Sequence, residues 1–211
     1  MIASAIAHAD EVADPLRLEV GVRQQIVRSP GFDLASDQST FPAFHLASTY
    51  EFDWSPVEIG VAYDYAGSSG ALFVSSNASI SAHEMFATGT MRFRRSKRFE
   101  PTAALELGMV AGHLGLNEDL ATARGGWAFG VAAAALAGVD MRLNNPEPGQ
   151  WRISLEGSVG YLLARPLSFT PGFERATASA GSGAAIPTTN TTPGKISISG
   201  PVAHVALAMR F

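Results

Sequence analysis

Eight stretches of this chain alternate with a period of two, and in each of them the charged side chains fall on a single parity. A β-strand sends successive side chains to opposite faces, so the pattern describes a sheet with one uncharged face. The first stretch sets Leu16, Leu18, Val20, Val22 and Ile26 against Arg17, Glu19, Gly21 and Arg23. The second opposes Phe44, Leu46, Ser48, Tyr50 and Phe52 to His45, Ala47, Thr49 and Glu51. In the third, Val57, Ile59, Val61, Tyr63 and Tyr65 alternate with Glu58, Gly60, Ala62 and Asp64. The fourth has Met85, Ala87, Gly89, Met91 and Phe93 facing away from Glu84, Phe86, Thr88, Thr90 and Arg92. The fifth separates Phe99, Ala103, Leu105, Leu107 and Met109 from Glu100, Thr102, Ala104, Glu106 and Gly108. Trp127, Phe129, Val131, Val139 and Met141 oppose Gly130, Gly138, Asp140 and Arg142 in the sixth, although its Ala132 to Ala135 run favours helix on propensity alone. The seventh pits Trp151, Ile153, Leu155, Val159 and Tyr161 against Arg152, Ser154, Glu156, Ser158 and Gly160. The last sets Val205, Leu207, Met209 and Phe211 against His204, Ala206, Ala208 and Arg210.

Composition narrows what such a sheet can be. Only 16% of the residues are charged and 46% are apolar, against roughly 25% charged in an ordinary soluble domain. No stretch reaches the ~18 apolar residues of a spanning helix, since the nearest, Gly126 to Val139, stops at Asp140. The absence of cysteine excludes a disulfide scaffold, a thiolate metal site and a cysteine nucleophile. A net charge of -4, with Arg94-Arg95-Ser96-Lys97-Arg98 as the longest basic run, argues against nucleic acid as a partner.

The connections alternate in length as well. Asp53 to Pro56, Arg95 to Arg98 and Asn144 to Gln150 are short, whereas Ser29 to Pro42, Ala66 to Ala82, Gly112 to Gly125 and Ala164 to Lys195 are long. Aromatic residues gather at both strand ends. Phe52, Trp54, Phe93, Phe99, Trp151 and Phe211 lie toward the short turns, and Phe44, Tyr63, Tyr65, Trp127, Phe129 and Tyr161 toward the long loops. A soluble barrel would bury its large rings at strand centres, whereas two aromatic girdles around an aliphatic band suit a bilayer. The expected fold is therefore all-β, a closed antiparallel up-and-down transmembrane β-barrel of eight strands. Pairing of Ala71 to Ser75 with Ala78 to Ala82 would raise the count to ten.

Alternation, loop pattern, girdles and the final strand PVAHVALAMRF together resemble the barrel of the small OmpA/OmpX-like outer-membrane proteins, from about Asp10 onward. The resemblance implies a bacterial outer-membrane location with both termini periplasmic. It also implies contact with outer-membrane lipid and lipopolysaccharide, and with periplasmic chaperones and the barrel assembly machinery. Val205, Leu207, Met209 and Phe211 match the C-terminal signal read by that machinery. Residues 1–9, with the small-x-small run Ala7-His8-Ala9, are expected to be a truncated signal-peptide remnant, and residues 10–211 one barrel domain.

The charged parity faces the interior in this scheme. It supplies Glu19, Arg23, Glu51, Glu58, Asp64, Glu84, Arg92, Glu106, Arg152, Glu156, His204 and Arg210. Mixed signs in a narrow barrel form a salt-bridged plug, because unpaired buried charges are costly. The other reading of the same residues is a narrow path for ions or small solutes. A lipid A-modifying enzyme would need Ser and His at the loop-side rim, where Ser79, Ser81, His83 and Glu84 cluster, but no recognisable catalytic motif accompanies them. No catalytic, cofactor or metal site is expected, since the five histidines are scattered along the chain. The expected role is structural, or one of surface interaction through the long loops, with an extracellular partner that the sequence does not name.

Overall fold

The computed structural model describes residues 15–33, 36–52, 55–73, 76–93, 98–118, 121–145, 150–169 and 195–211. The expectations placed on residues 1–9, Trp54, Arg94 to Lys97 and most of the last long loop lie outside them. The strands are β1 (Leu16–Ile26), β2 (Thr40–Glu51), β3 (Val57–Phe73), β4 (Ser76–Arg92), β5 (Phe99–Glu118), β6 (Ala121–Arg142), β7 (Arg152–Ala164), β8 (Leu167–Ser168), β9 (Lys195–Ile196) and β10 (Gly200–Arg210). One short helix, α1 (Pro30–Asp33), lies between β1 and β2. Eight strands close a barrel in which each pairs antiparallel with its chain neighbour, β7 pairs with β10, and β10 returns to β1. The remaining pair, β8 and β9, forms a separate two-stranded ribbon.

The outer surface explains the closure. Thirty large apolar side chains among the described residues are exposed, with Leu105, Leu107 and Met109 each about two-thirds accessible. That surface far exceeds the few hundred Å² of apolar patch that a monomer tolerates in water, so it faces lipid. Along β7 the outward aromatic residues that bound the aliphatic band are Trp151, just before the strand, and Tyr161. At ~3.3 Å per residue and a tilt of ~40° they span ~25 Å, the height of a bilayer's apolar band. Ala132 to Ala135 are strand, not helix. Their helical preference is worth under about 1 kcal/mol per residue, while each unpaired backbone group in lipid costs several.

Two of the expected long loops are strand for most of their length. β3 and β4 pair through Gly67 with Ser81 and Gly70 with Ala78, and β5 and β6 through Gly115 with Gly125. The hairpin near Ala71 is thus a continuation of β3 and β4, and the barrel keeps eight strands. Beyond the lipid the outward positions no longer need large apolar residues, so the ladder continues while the sequence pattern fades.

The described ends of the last long loop turn into the barrel. Leu167, Phe169, Ile196 and Ile198 are buried inside the loop-side half of the barrel with Phe32 of α1 and Phe41. Phe32 and Phe41 meet edge to face, with ring centroids 5.3 Å apart. Gly112 and Gly130 make room for this plug, since a Cβ at Gly112 would stand 2.6 Å from Leu167 Cδ1. Substitution Gly112→Val is expected to push Leu167 out of place and cost about 1–3 kcal/mol, the range for overpacking. Urea unfolding of the refolded protein in detergent micelles, followed by unheated-gel migration, measures this.

Candidate functional site

The turn-side half of the lumen is polar. Arg23, Glu51, Glu58, Asp64, Glu84, Arg92, Glu106, Glu156, His204 and Arg210 point inward and are buried, while Glu19 and Arg152 point inward and are half-buried. Five further inward groups enter the same layer: Arg17, His45, Glu100 and Asp140, which are buried, and the half-buried Arg142. All five stand on the charge-bearing parity, which is the signal that marks them as interior.

The ion pairs cross the lumen more than they follow the wall. Arg17 pairs with Glu19 on its own strand and reaches Asp140 on β6 and Glu156 on β7. Arg92 of β4 donates to Glu58, and its Nη1 lies 2.8 Å from Asp140 Oδ2. Arg210 of β10 pairs with Glu51 and Glu58. Arg23 of β1 donates to Asp64 at 2.7 Å and to Glu106 at 2.7 Å, and its guanidinium lies 5.6 Å from the centre of the Phe86 ring. That cation–π contact joins the ionic layer to the apolar one above. Thr49 and Ser154 add hydroxyl donors to Glu58 and Asp140, each at 3.1 Å.

Neighbouring strands present like charges side by side. Arg17, Arg210 and Arg152 are consecutive partners across β1, β10 and β7, and Glu156, Asp140 and Glu100 across β7, β6 and β5. Glu51 stands opposite Glu58, and Asp64 opposite Glu84. Such rows repel laterally, so much of the neutralisation reaches past the neighbouring strand, alongside the adjacent-strand pairs Arg92–Glu58 and Arg142–Glu100. Two of the expected residues are less tightly held: among the described residues, Glu84 and Arg152 form neither a contact ion pair nor a hydrogen bond, and they feel Arg23 and the Glu100–Asp140 pair, respectively, only through the field. The inward acids, Glu19, Glu51, Glu58, Asp64, Glu84, Glu100, Glu106, Asp140 and Glu156, number nine against six arginines: Arg17, Arg23, Arg92, Arg142, Arg152 and Arg210.

Histidines scattered in sequence meet in space. His45 of β2 and His204 of β10 flank β1, with ring centroids 4.3 Å apart. Their separation along the chain is undone by the sheet, because β1 pairs with both of the strands that carry them.

The rim cluster is not assembled as a nucleophile and base among the described residues. Ser81 and His83 face outward, whereas Glu84 is buried inward. The His83 ring shares a 2.7 Å hydrogen bond with the Tyr63 hydroxyl and stacks on Trp127, against which His113 also packs. These groups form part of the loop-side aromatic girdle.

No family model matches the chain, and no curated protein does. Its fold is that of the small eight-stranded outer-membrane β-barrels. The similar solved structures include Ail, the attachment invasion locus protein of Yersinia pestis, in complex with the heparin analogue sucrose octasulfate. That match has 13% identity, 92% coverage of this chain, 95% of that chain and a TM-score of 0.51. Neisserial surface protein A matches at 9% identity, with coverages of 92% and 93% and a TM-score of 0.48. At these identities the likeness is one of fold.

The lateral rows make the ionic layer sensitive to loss of a hub. Arg17→Met leaves Asp140 and Glu156 short of a buried partner, and a loss of about 3–5 kcal/mol is expected. Glu84→Gln removes an unpaired carboxylate beside Asp64 and is expected to leave stability unchanged or raise it. Urea midpoints of the two variants in micelles, compared side by side, check both expectations.

Proposed function

We propose that the protein is a surface barrel of the bacterial outer membrane whose role lies in its loop-side face and not in conduction. Both termini and the short turns face the periplasm, and the connections β1–β2, β3–β4, β5–β6 and β7–β10 face outward. The closed lumen carries this reading: an apolar plug of Phe32, Leu167, Phe169 and Ile196 sits above a cross-braced ionic layer. Eight-stranded barrels have interiors that side chains just fill, and here two chemically different fillings lie in series. Any specificity then resides in the loops and in the extended β3–β4 and β5–β6 hairpins.

Outer-membrane lipid and lipopolysaccharide are the immediate partners. The exposed aliphatic band supports the first, and exposed Arg28, Arg165 and Lys195 toward the loop-side end offer cations to phosphate groups. The complex of Ail with a sulfated sugar analogue adds an anionic carbohydrate as a ligand class to test on the loops. In planar bilayers the purified protein is expected to show no steady conductance. Channels of uniform size would overturn the closed-lumen reading and favour a narrow pore.

Assembly is proposed to use the outward face of β10. Val205, Leu207 and Phe211 are exposed there, with Met209 half-buried beside them. Deletion of Phe211 is expected to lower the heat-modifiable, outer-membrane fraction several-fold in cells. Refolding into micelles should be nearly unchanged, which separates recognition from barrel stability. Equal membrane yields for the two chains would remove the assembly role.

A further inference from the structure

We propose that the lumen holds a divalent transition-metal site formed by Glu19, His45 and His204. One ligand atom from each lies within 4.8 Å of the other two. The three come from adjacent strands, with Glu19 on β1, His45 paired with Gly21, and His204 paired with Arg23.

The free atoms are those that an ion needs. His45 Nδ1 is 2.6 Å from Asp64 Oδ1, so its remaining lone pair is at Nε2. A carboxylate behind a ligating imidazole sets the tautomer and raises ligand basicity. Asp64 is itself held by Arg23 at 2.7 Å, so the ring is braced twice. His204 is only 4% exposed and its Nε2 has no hydrogen-bond partner. Its Nδ1 faces Ser158 Oγ at 3.4 Å, which leaves Nε2 as the atom to be satisfied. An orphaned polar nitrogen this deeply buried costs about 1–3 kcal/mol unless something binds it. Arg17 takes Oε1 of Glu19, and among the described residues Oε2 accepts no hydrogen bond.

Two imidazoles and one carboxylate suit Zn²⁺, Co²⁺, Ni²⁺ or Cu²⁺ better than Mg²⁺ or Ca²⁺. Tetrahedral Zn²⁺ with bonds of ~2.1 Å places its ligands ~3.4 Å apart, so atoms that now lie within 4.8 Å of one another close by at most ~1.4 Å on binding. Water completes the coordination. The surplus of carboxylates over arginines in the lumen favours a cation there, and loading during refolding, before the barrel closes, supplies the entry route.

The test is refolding of the full chain into micelles with Zn²⁺, followed by gel filtration and metal analysis. About one ion per folded chain is expected, with about a tenfold loss in His204→Asn and in His45→Asn and none in His83→Asn/His113→Asn. Folding of each variant is read from unheated-gel migration. Should a lumen variant fail to fold, the wild type decides: Co²⁺ should give the intense visible bands of a four-coordinate site, displaced by Zn²⁺. Wild-type protein without bound metal, or without those cobalt bands, overturns the site. Equal loss from the rim variant would place the ion on the girdle instead and overturns it as well.

Discussion

A backbone amide in hydrocarbon has no water to turn to, and the pairing of β1 with β10 is what meets that requirement here. From Arg17 opposite Arg210 to Gln25 opposite Val202 this ladder joins the first and last strands of the barrel and leaves no open edge. Closure at eight strands makes the lumen narrow, and alternation then delivers half of every strand into it. The charged parity has nowhere else to go. Burial of the ionic layer follows from closing the sheet, before any pairing is considered.

The pairing reverses the usual logic of a sheet. In most sheets a charge is balanced by its lateral neighbour, whereas here Arg17, Arg210 and Arg152 form one row and Glu156, Asp140 and Glu100 another. Lateral repulsion of this kind is tolerable only if the opposite wall is within reach of a guanidinium. An arginine is long enough to cross a lumen of this width and forks to two acceptors, as Arg17 does to Asp140 and Glu156. Arginine supplies every inward cation of the described residues. The rows therefore brace the cross-section as well as neutralising it, since each cross-lumen pair ties together strands that are not neighbours in the sheet.

The parity of the charges made the strand set, the inside and the outside readable before any coordinate. The reason is that lipid imposes one rule on every outward position between the girdles. The rule ends where the lipid ends. Gly67, Ser68, Ser69 and Gly70 continue β3 with no apolar outward residue, and so read as loop. The plug was hidden for a different reason: Leu167 and Ile196 lie on either side of a long polar stretch and carry no periodicity of their own. Inward Arg17 and Asp140 were visible by parity, but their partnership was not, because it depends on the stagger of the barrel. The same stagger brings His45 and His204 together from positions far apart in the chain.

Two fillings in one lumen divide the labour of keeping it shut. The apolar layer of Phe32, Leu167 and Phe169 excludes water but is built from loop segments, which are held mainly by packing and a few hydrogen bonds such as Ser197 N to Ser29 Oγ. The ionic layer is carried by the strands themselves and cannot leave without unfolding the barrel. A movement of the plug would therefore expose the ionic layer, with its surplus of carboxylates, to the outside without opening a path through it. The strand-borne arginines thus stay in place whatever the plug does.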